Sequence, residues 1–309
     1  PRAALVGVCD RSPVSADHAA ATYGTRPFGD AAAMIAEVRP DVVHVLTPPT
    51  THVAISELAL AAGAHVICEK PITLSAPDLE ALLATAEAAG RRLVENHNYR
   101  FNPEVEHLAD LMESGKLGTI GEVEVRMGLP VNDPGGRFGD PNLPSPIHQL
   151  PAGVIHDFIT HLTYLVLRFT GDVEWSTVDS VWSNHGGVTH VAVDDLDSVL
   201  VGHGPHGAVH ARVRFSALLA PDCFEITVRG SLGYAQVELF SGRVTEVLPR
   251  PGGKQLSPIV NMMIGGAGLF VGGPRSLKRK IMQQGPYVGL ARFLDLTYAA
   301  LATGAEPPV

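Results

Sequence analysis

The amino-terminal third of the chain alternates short apolar runs with stretches of helical pattern. Four runs have the length and composition of strands buried on both faces of a sheet: Ala3–Cys9, Asp41–Leu46, His65–Cys68 and Arg92–Asn96. Helical segments separate them: Ala16–Tyr23, Ala31–Val38, His52–Ala62 and a segment from the capping residue Ser75 to Ala89. Strands that alternate with helices in this way predict a parallel sheet covered on both faces.

Beyond Gly118 the period changes, because polar and apolar residues alternate over several segments. Such alternation is typical of antiparallel strands with one buried face. The segments are Ile120–Met127, Val173–Trp182, Ser198–His203, Ala208–Phe215, Phe224–Arg229 and Ala235–Leu239. Helices are predicted at Pro103–Ser114, Gly153–Phe169 and Pro286–Leu301, and loops over 129–150 and around Gly266–Gly268.

These patterns predict the α/β fold class, with two domains. Residues 1–100 are expected to form a Rossmann-type domain with a parallel sheet whose first βα unit is missing. Residues 101–309 are expected to form an α+β domain with a large, open, mainly antiparallel sheet. Parts of that sheet, such as Val199–Gly202, are apolar on more than one side, so we expect self-association there.

The composition excludes several classes of protein. With 45% hydrophobic and 18% charged residues, the 309-residue chain can fill cores, so general disorder is not expected. A net charge of −9 makes nucleic acid a poor partner and favours a small molecule. Three scattered cysteines form no disulfide framework and fit a reducing compartment, so a cytoplasmic location is expected, with a targeting segment ahead of Pro1 left open. No apolar run reaches the roughly 18 residues of a membrane span, the nearest being Ile259–Gly273.

Asp10 directly follows the first apolar run, and Arg11 comes next. In dinucleotide-binding folds an acidic residue at the end of the second strand binds the adenosine ribose, although a turn or cap aspartate is a common alternative. The glycine-rich GxGxxG motif, which belongs roughly 20 residues earlier, is absent because only nine residues precede Asp10. We therefore expect the natural gene to encode a strand and a glycine-rich turn upstream of Pro1.

Glu69 and Lys70 stand between the run His65–Cys68 and Pro71. Parallel strands bring their carboxyl ends to one edge of the sheet, and ligands bind outside that edge. Pro71 favours an extended backbone at Lys70 and ends the strand. The pair is therefore either a ligand-binding carboxylate and amine or a surface ion pair at a strand end.

Asp157 and His161 are four residues apart in a predicted helix that is otherwise rich in apolar residues, so they share one face. Buried polar groups need partners. The two side chains either satisfy each other structurally or perform acid–base chemistry, for which imidazole has a suitable pKa. His148 and His156 lie nearby but lack the spacing of zinc ligands, so no metal site is expected.

Five short motifs, taken in order, resemble the Gfo/Idh/MocA family, which includes glucose–fructose oxidoreductase and inositol dehydrogenase. They are VCDRSP at Val8–Pro13, VLTPPTTH at Val45–His52, CEKPIT at Cys68–Thr73, NHNYRFNP at Asn96–Pro103 and HDFITH at His156–His161. Each motif is weak alone, but EKP followed by Asp-x-x-x-His is a fairly specific combination. The resemblance runs from Ala3 to the end, although residues 255–285 have no counterpart in the family core.

The resemblance implies an enzyme that uses NAD, with NADP possible, and transfers a hydride between nicotinamide and a hydroxyl or carbonyl carbon of a sugar, cyclitol or related polyol. The cofactor site it implies is Asp10, Arg11, Thr47, Pro48, His52, Glu69, Lys70 and Asn98. The substrate contacts it implies are Lys70, Arg100, Asp157 and His161. Among these, His161 would accept the proton, Asp157 would orient it, and Lys70 would bridge cofactor and substrate. A homodimer or homotetramer built on the second sheet is also implied.

Two other functions compete with this interpretation. A non-catalytic, NAD(P)- or sugar-binding regulatory protein of the same fold would have no need of Lys70, Asp157 and His161, which are all present. A hydrolase based on Asp157 and His161 lacks a recognisable nucleophile motif such as GxSxG. The dehydrogenase is therefore the function that the sequence favours.

Overall fold

The structure, a computed structural model, describes residues 3–132, 138, 140, 145, 147, 150–186, 192–282 and 288–309. The chain forms two compact units, Pro1–His97 with Phe293–Val309, and Asn98–Arg292. We had placed residues 293–309 with the second domain, but they belong to the first unit. Two long-range contacts explain this: Tyr298 Oη lies 2.8 Å from His44 Nε2, and Glu306 forms an ion pair with Arg92.

Two small parallel sheets organise the first unit. Strand β1 (Val8–Cys9) pairs with β2 (Pro27–Phe28), and β3 (Val42–Val45), β4 (His65–Cys68) and β5 (Leu93–Glu95) form the other sheet in that order. The helices between strands are α1 (Pro13–Tyr23), α2 (Ala31–Val38), α3 (His52–Ala61) and α4 (Ala76–Ala88). The predicted Rossmann-type alternation of strands and helices is confirmed.

Local sequence explains where these helices begin and end. Side-chain oxygens of Ser12, Asp30 and Ser75 accept hydrogen bonds from amides in the first turns of α1, α2 and α4. Gly24 ends α1 with a left-handed backbone at φ 66°. The buried core of this unit includes Ile35, Val43, Val45, Ala59, Leu60, Val66, Cys68, Leu82 and Ala86.

A seven-stranded sheet dominates the second unit. Its strands are β6 (Ile120–Gly128), β7 (Glu174–Ser183), β8 (Asp195–Gly204), β9 (Gly207–Ser216), β10 (Cys223–Gly230), β11 (Tyr234–Glu238) and β12 (Arg243–Val247). Their order is β12-β11-β10-β6-β9-β8-β7, and among these strands only the β6–β9 pair is parallel. The predicted large, mainly antiparallel sheet is confirmed. Helix α5 (Pro103–Glu113) packs against β11, and α6 (Gly153–Thr170) packs against β6 and β9.

The first predicted strand is wrong in extent. Only Val8–Cys9 of the run Ala3–Cys9 is a strand, and Leu5 and Val6 are 55% and 44% exposed. The reason is that β1 pairs with β2 alone among the described strands, so little covers the preceding residues. Strands β2 and β12 were not predicted, because β2 has only two residues and β12, at the edge of its sheet, has no fully buried residue. Most of the predicted loop over 129–150 lies outside the described residues.

The loop predicted around Gly266–Gly268 is instead part of α7 (Gly253–Ile281), and α8 (Val288–Thr303) follows. Glycine weakens a helix without forbidding it, and Met262, Met263 and Leu269, on either side of these glycines, favour one. Within the described ranges, Gly253–Lys278 is the one helix that is long and apolar enough to cross a membrane. No span was expected there because no uninterrupted apolar run is long enough, and a single helix of this kind is weak evidence for one.

We predict that Gly230→Ala destabilises the second unit. Gly230 lies at a register shift between β10 and β6, and a Cβ there would overlap the carbonyl oxygen of Leu117. Because the backbone must move, the free energy of unfolding should fall by roughly 1–3 kcal/mol. Gly121→Ala in β6 is the matched control, since its Cβ would meet nothing within 4 Å. Urea unfolding measures the free energy of unfolding of both variants. Equal decreases in the two would contradict the prediction.

Candidate active site

The carboxyl ends of β3, β4 and β5 meet at one edge of the parallel sheet, where hydrogen bonds join the residues that follow them. The Glu69 amide donates to Val45 O at 2.9 Å, and the Asn96 amide donates to Cys68 O at 2.8 Å. The side-chain nitrogen of Asn96 donates to Glu69 Oε1 at 2.7 Å. Glu69 and Lys70 are both partly buried. The predicted pair therefore lies at the ligand-binding edge of the sheet.

His52 is fully buried and joins two of the turns at this edge. Its Nδ1 lies 2.8 Å from Pro71 O, and its Nε2 lies 2.7 Å from Thr47 O. Carbonyl oxygens only accept hydrogen bonds, and a neutral imidazole has one N–H, so the ring donates to one of the two oxygens and lies against the other. It thereby lies between the turn after β3 and the turn after Lys70. The resemblance assigned His52 to the cofactor crevice, but both ring nitrogens are engaged by the backbone, so the structure gives it the task of fixing Thr47 and Pro71.

Glu95 holds the turn after Lys70 from another strand end. Its Oε1 accepts a hydrogen bond from the Ile72 amide at 3.0 Å, and its Oε2 lies 2.5 Å from His97 Nε2. Lys70 is thus followed by two residues whose backbone groups both bond to side chains of neighbouring elements. Glu95 was not predicted, and its only signal in the sequence was its position at the end of the strand beside Asn96.

Asp10 and Arg11 are exposed at the end of β1. Asp10 Oδ1 accepts a hydrogen bond from the Ser12 amide at 2.8 Å, which is the turn contact that competes with ribose binding. A carboxylate has several acceptor sites, so Asp10 can accept this hydrogen bond and still accept others from a ribose. Thr47 and Pro48 lie in the turn after β3, where Thr47 Oγ1 accepts a hydrogen bond from Thr51 Oγ1 at 2.8 Å.

His161 is buried on α6 of the second unit, with 5% of its surface exposed. Its Nδ1 lies 3.0 Å from Tyr164 Oη, and the Tyr99 amide donates to the same Oη at 3.3 Å. The Tyr99 and His161 rings meet edge to face, with centroids 4.8 Å apart. Asp157, partly buried, lies one turn earlier on α6. Sequence reasoning missed both tyrosines, although Tyr164 stands one helical turn after His161.

Asn98 and Arg100 lie in a short 3-10 turn, Asn98–Phe101, at the start of the second unit. Asn98 is 3% exposed. Burial lowers the pKa of the Arg100 guanidinium, as does the charge of Arg168, while Tyr164 acts in the opposite direction.

The predicted site residues divide between the two units. Thr47, His52, Glu69 and Lys70 lie at one sheet edge of the first, where His52 joins the turns that hold Thr47 and Pro71, and Asn98, Arg100, Asp157 and His161 lie in the second. The joint action of Lys70 with Asp157 and His161 stays a prediction. In the described residues, no group of three or more His, Cys, Asp and Glu side chains is arranged to hold a metal ion.

Residues 1–97 match the model of the GFO_IDH_MocA family, described as an oxidoreductase family with an NAD-binding Rossmann fold. The first unit is thus a Rossmann domain of the NAD-binding type. Residues 1–97 therefore form the NAD-binding domain of the Gfo/Idh/MocA oxidoreductase family, which the motifs predicted.

Named relatives include two sugar dehydrogenases. The chain is 35% identical over 117 residues to D-glucoside 3-dehydrogenase of Escherichia coli and 33% identical over 118 residues to D-apiose dehydrogenase of Paraburkholderia graminis. Each match covers 38% of this chain and spans about a third of the relative, 33% and 32%. The solved WlbA dehydrogenase of Bordetella pertussis, in complex with NADH and UDP-GlcNAcA, has a TM-score of 0.74 at 21% identity. That likeness covers 98% of this chain and 82% of the other, and it shows the fold.

We predict that His52→Ala destabilises the first unit by about 2 kcal/mol or more, because a buried backbone carbonyl loses its donor and a cavity opens. His18→Ala, which alters an exposed position on α1, is the control and should change stability by less than about 0.5 kcal/mol. Denaturant unfolding followed by hydrogen exchange of the first unit measures the difference. A His52→Ala protein as stable as the control would show that this ring does not hold the two turns.

Proposed function

We propose that the natural full-length protein is an NAD-dependent dehydrogenase or reductase acting on a CH–OH group of a sugar, cyclitol or related polyol. One observation carries the proposal. Glu69 and Lys70 lie at the carboxyl edge of a parallel sheet, in a turn that His52 and Glu95 fix, within a domain of an NAD-binding family. A carboxylate and an ammonium group held there suit a ligand rich in hydroxyls.

The residues of the first unit fit a nicotinamide dinucleotide. The exposed carboxylate of Asp10 is suited to accept hydrogen bonds from the adenosine ribose. Asn96 Oδ1 is buried beside Glu69 and has no hydrogen-bond partner within the part of the chain that the structure describes, so an acceptor remains to be satisfied at this edge. Thr47, Pro48, Glu69 and Lys70 would line the same cofactor site.

The chain's own residues would supply position and proton transfer. The bound cofactor accepts or returns the hydride. The Lys70 ammonium would stabilise the negative charge that grows on the substrate oxygen as its proton leaves. His161 would accept that proton on a ring nitrogen, because imidazole exchanges protons near neutral pH. Asp157, one turn earlier on α6, would bind and orient the substrate. The reduction of a carbonyl uses the same groups in reverse.

A second copy of this chain is the partner we propose for the exposed edge of the second sheet. Edge strand β7 leaves Val178 and Val181 60% and 68% exposed, and Trp182 46% exposed. An apolar edge of this kind is a liability in a monomer. A dimer or tetramer would cover it.

We predict that Lys70→Met and His161→Ala each lower kcat by roughly a hundredfold or more, the typical contribution of positioned acid–base groups. Folding should survive, so circular dichroism should match the wild type in both variants, and NADH binding should match it in His161→Ala. Because the named relatives act on sugars, the substrates to try are D-apiose, a D-glucoside and UDP-N-acetylglucosamine, with NADH formation as the readout. Lys116→Met, at an exposed position, is the matched control.

Wild-type turnover in His161→Ala would remove the proton-transfer step from this account. A protein that binds NADH and sugars tightly, but turns over none in either direction, would instead be the regulatory binding protein that the sequence left open.

A further inference from the structure

Tyr164 contacts His161 but has no role in the reaction as proposed so far. Its ring is 4% exposed and lies edge to face against His161, with centroids 5.6 Å apart. Its hydroxyl oxygen is shared by two contacts, with His161 Nδ1 at 3.0 Å and with the Tyr99 amide at 3.3 Å. An amide nitrogen only donates, so Tyr164 Oη is the acceptor for Tyr99.

The contact with His161 has two possible directions. Either the Tyr164 hydroxyl donates to an unprotonated Nδ1, or a protonated Nδ1 donates to the Tyr164 oxygen. In neutral imidazole only one nitrogen carries a proton, and the hydrogen bond at one nitrogen sets the state of the other. If Nδ1 is protonated, Nε2 is the basic nitrogen, and if Nδ1 is unprotonated, Nε2 carries the proton and cannot accept another.

We propose that Tyr164 is the positioning residue that holds neutral His161 in the tautomer protonated on Nδ1, which leaves Nε2 as the base. The inference rests on the proposed function, because that function requires His161 to accept a proton. The Tyr99 amide donates to Tyr164 Oη and fixes that oxygen in place. The proposed function selects the direction at Nδ1, because Nε2 can accept the substrate proton only if Nδ1 carries its own. When Nε2 takes the substrate proton, Nδ1 keeps its own proton and its hydrogen bond to Tyr164.

The test variant is Tyr164→Phe, which keeps the ring against His161 and removes the hydroxyl. The chain offers a matched control, Tyr298→Phe, because Tyr298 Oη lies 2.8 Å from His44 Nε2 and its ring stacks on that histidine. Each variant loses one histidine–tyrosine hydrogen bond, but only the first loses it at His161.

The first measurement is ¹⁵N NMR of the imidazole rings in the full-length protein. Wild type should show neutral His161 protonated on Nδ1, and Tyr164→Phe should shift His161 towards the Nε2-protonated form. Tyr298→Phe should leave the His161 signals unchanged. A wild-type His161 protonated on Nε2 would overturn the proposal, as would a Tyr164→Phe protein with an unchanged tautomer.

The second measurement is steady-state kinetics. Tyr164→Phe should lower kcat by roughly tenfold to a hundredfold, a part of what general acid–base catalysis contributes, with KM for substrate within about threefold of wild type because no contact to substrate is removed. An unchanged kcat would overturn the proposal. The absence of all turnover in wild type would reject the proposed function, and the NMR result would still decide the tautomer.

Discussion

The buried imidazole of His52, held between Thr47 O and Pro71 O, is the interaction on which the candidate site of the first unit depends. The turns it joins leave different strands, and short parallel strands alone do not fix the turns that follow them. With Pro71 held by His52 and the Ile72 amide held by Glu95, the backbone that carries Lys70 has little freedom. A mobile lysine would lose entropy whenever it met a ligand, whereas a fixed one has already lost it.

The second unit uses the same principle with different chemistry. Helix α6 packs against β6 and β9, so a polar side chain on its inner face must find a partner. His161 finds one in Tyr164, which is in turn bonded to the Tyr99 amide. In both units a buried histidine is fixed by hydrogen bonds over short distances. The roles differ, since His52 holds backbone and His161 is positioned for proton transfer in our proposal.

Sequence periodicity predicted most of this fold because buried strands and capped helices leave local patterns. The strand His65–Cys68 and the cap Ser75 were found in this way. The extent of the helices and strands was harder to predict. The run before Val8 is apolar but exposed, and α7 is helical despite its glycines. Lys70 and His161 could be proposed from motifs, but the contacts of His52 and Glu95 with the turn after Lys70 engage backbone groups distant in sequence, so no spacing revealed them. Tyr164 lies three residues after His161, and that helical spacing could have indicated their contact.

The central claim is that Lys70 and His161 serve one proton-transfer event at one substrate hydroxyl. The most direct test is kcat/KM of the Lys70→Met/His161→Ala double variant beside both single variants. Residues that act as a unit are not additive, so the account predicts that the double variant loses little more than the worse single variant. If the two losses multiply, reaching roughly ten-thousandfold from two hundredfold effects, Lys70 and His161 act independently and the claim fails.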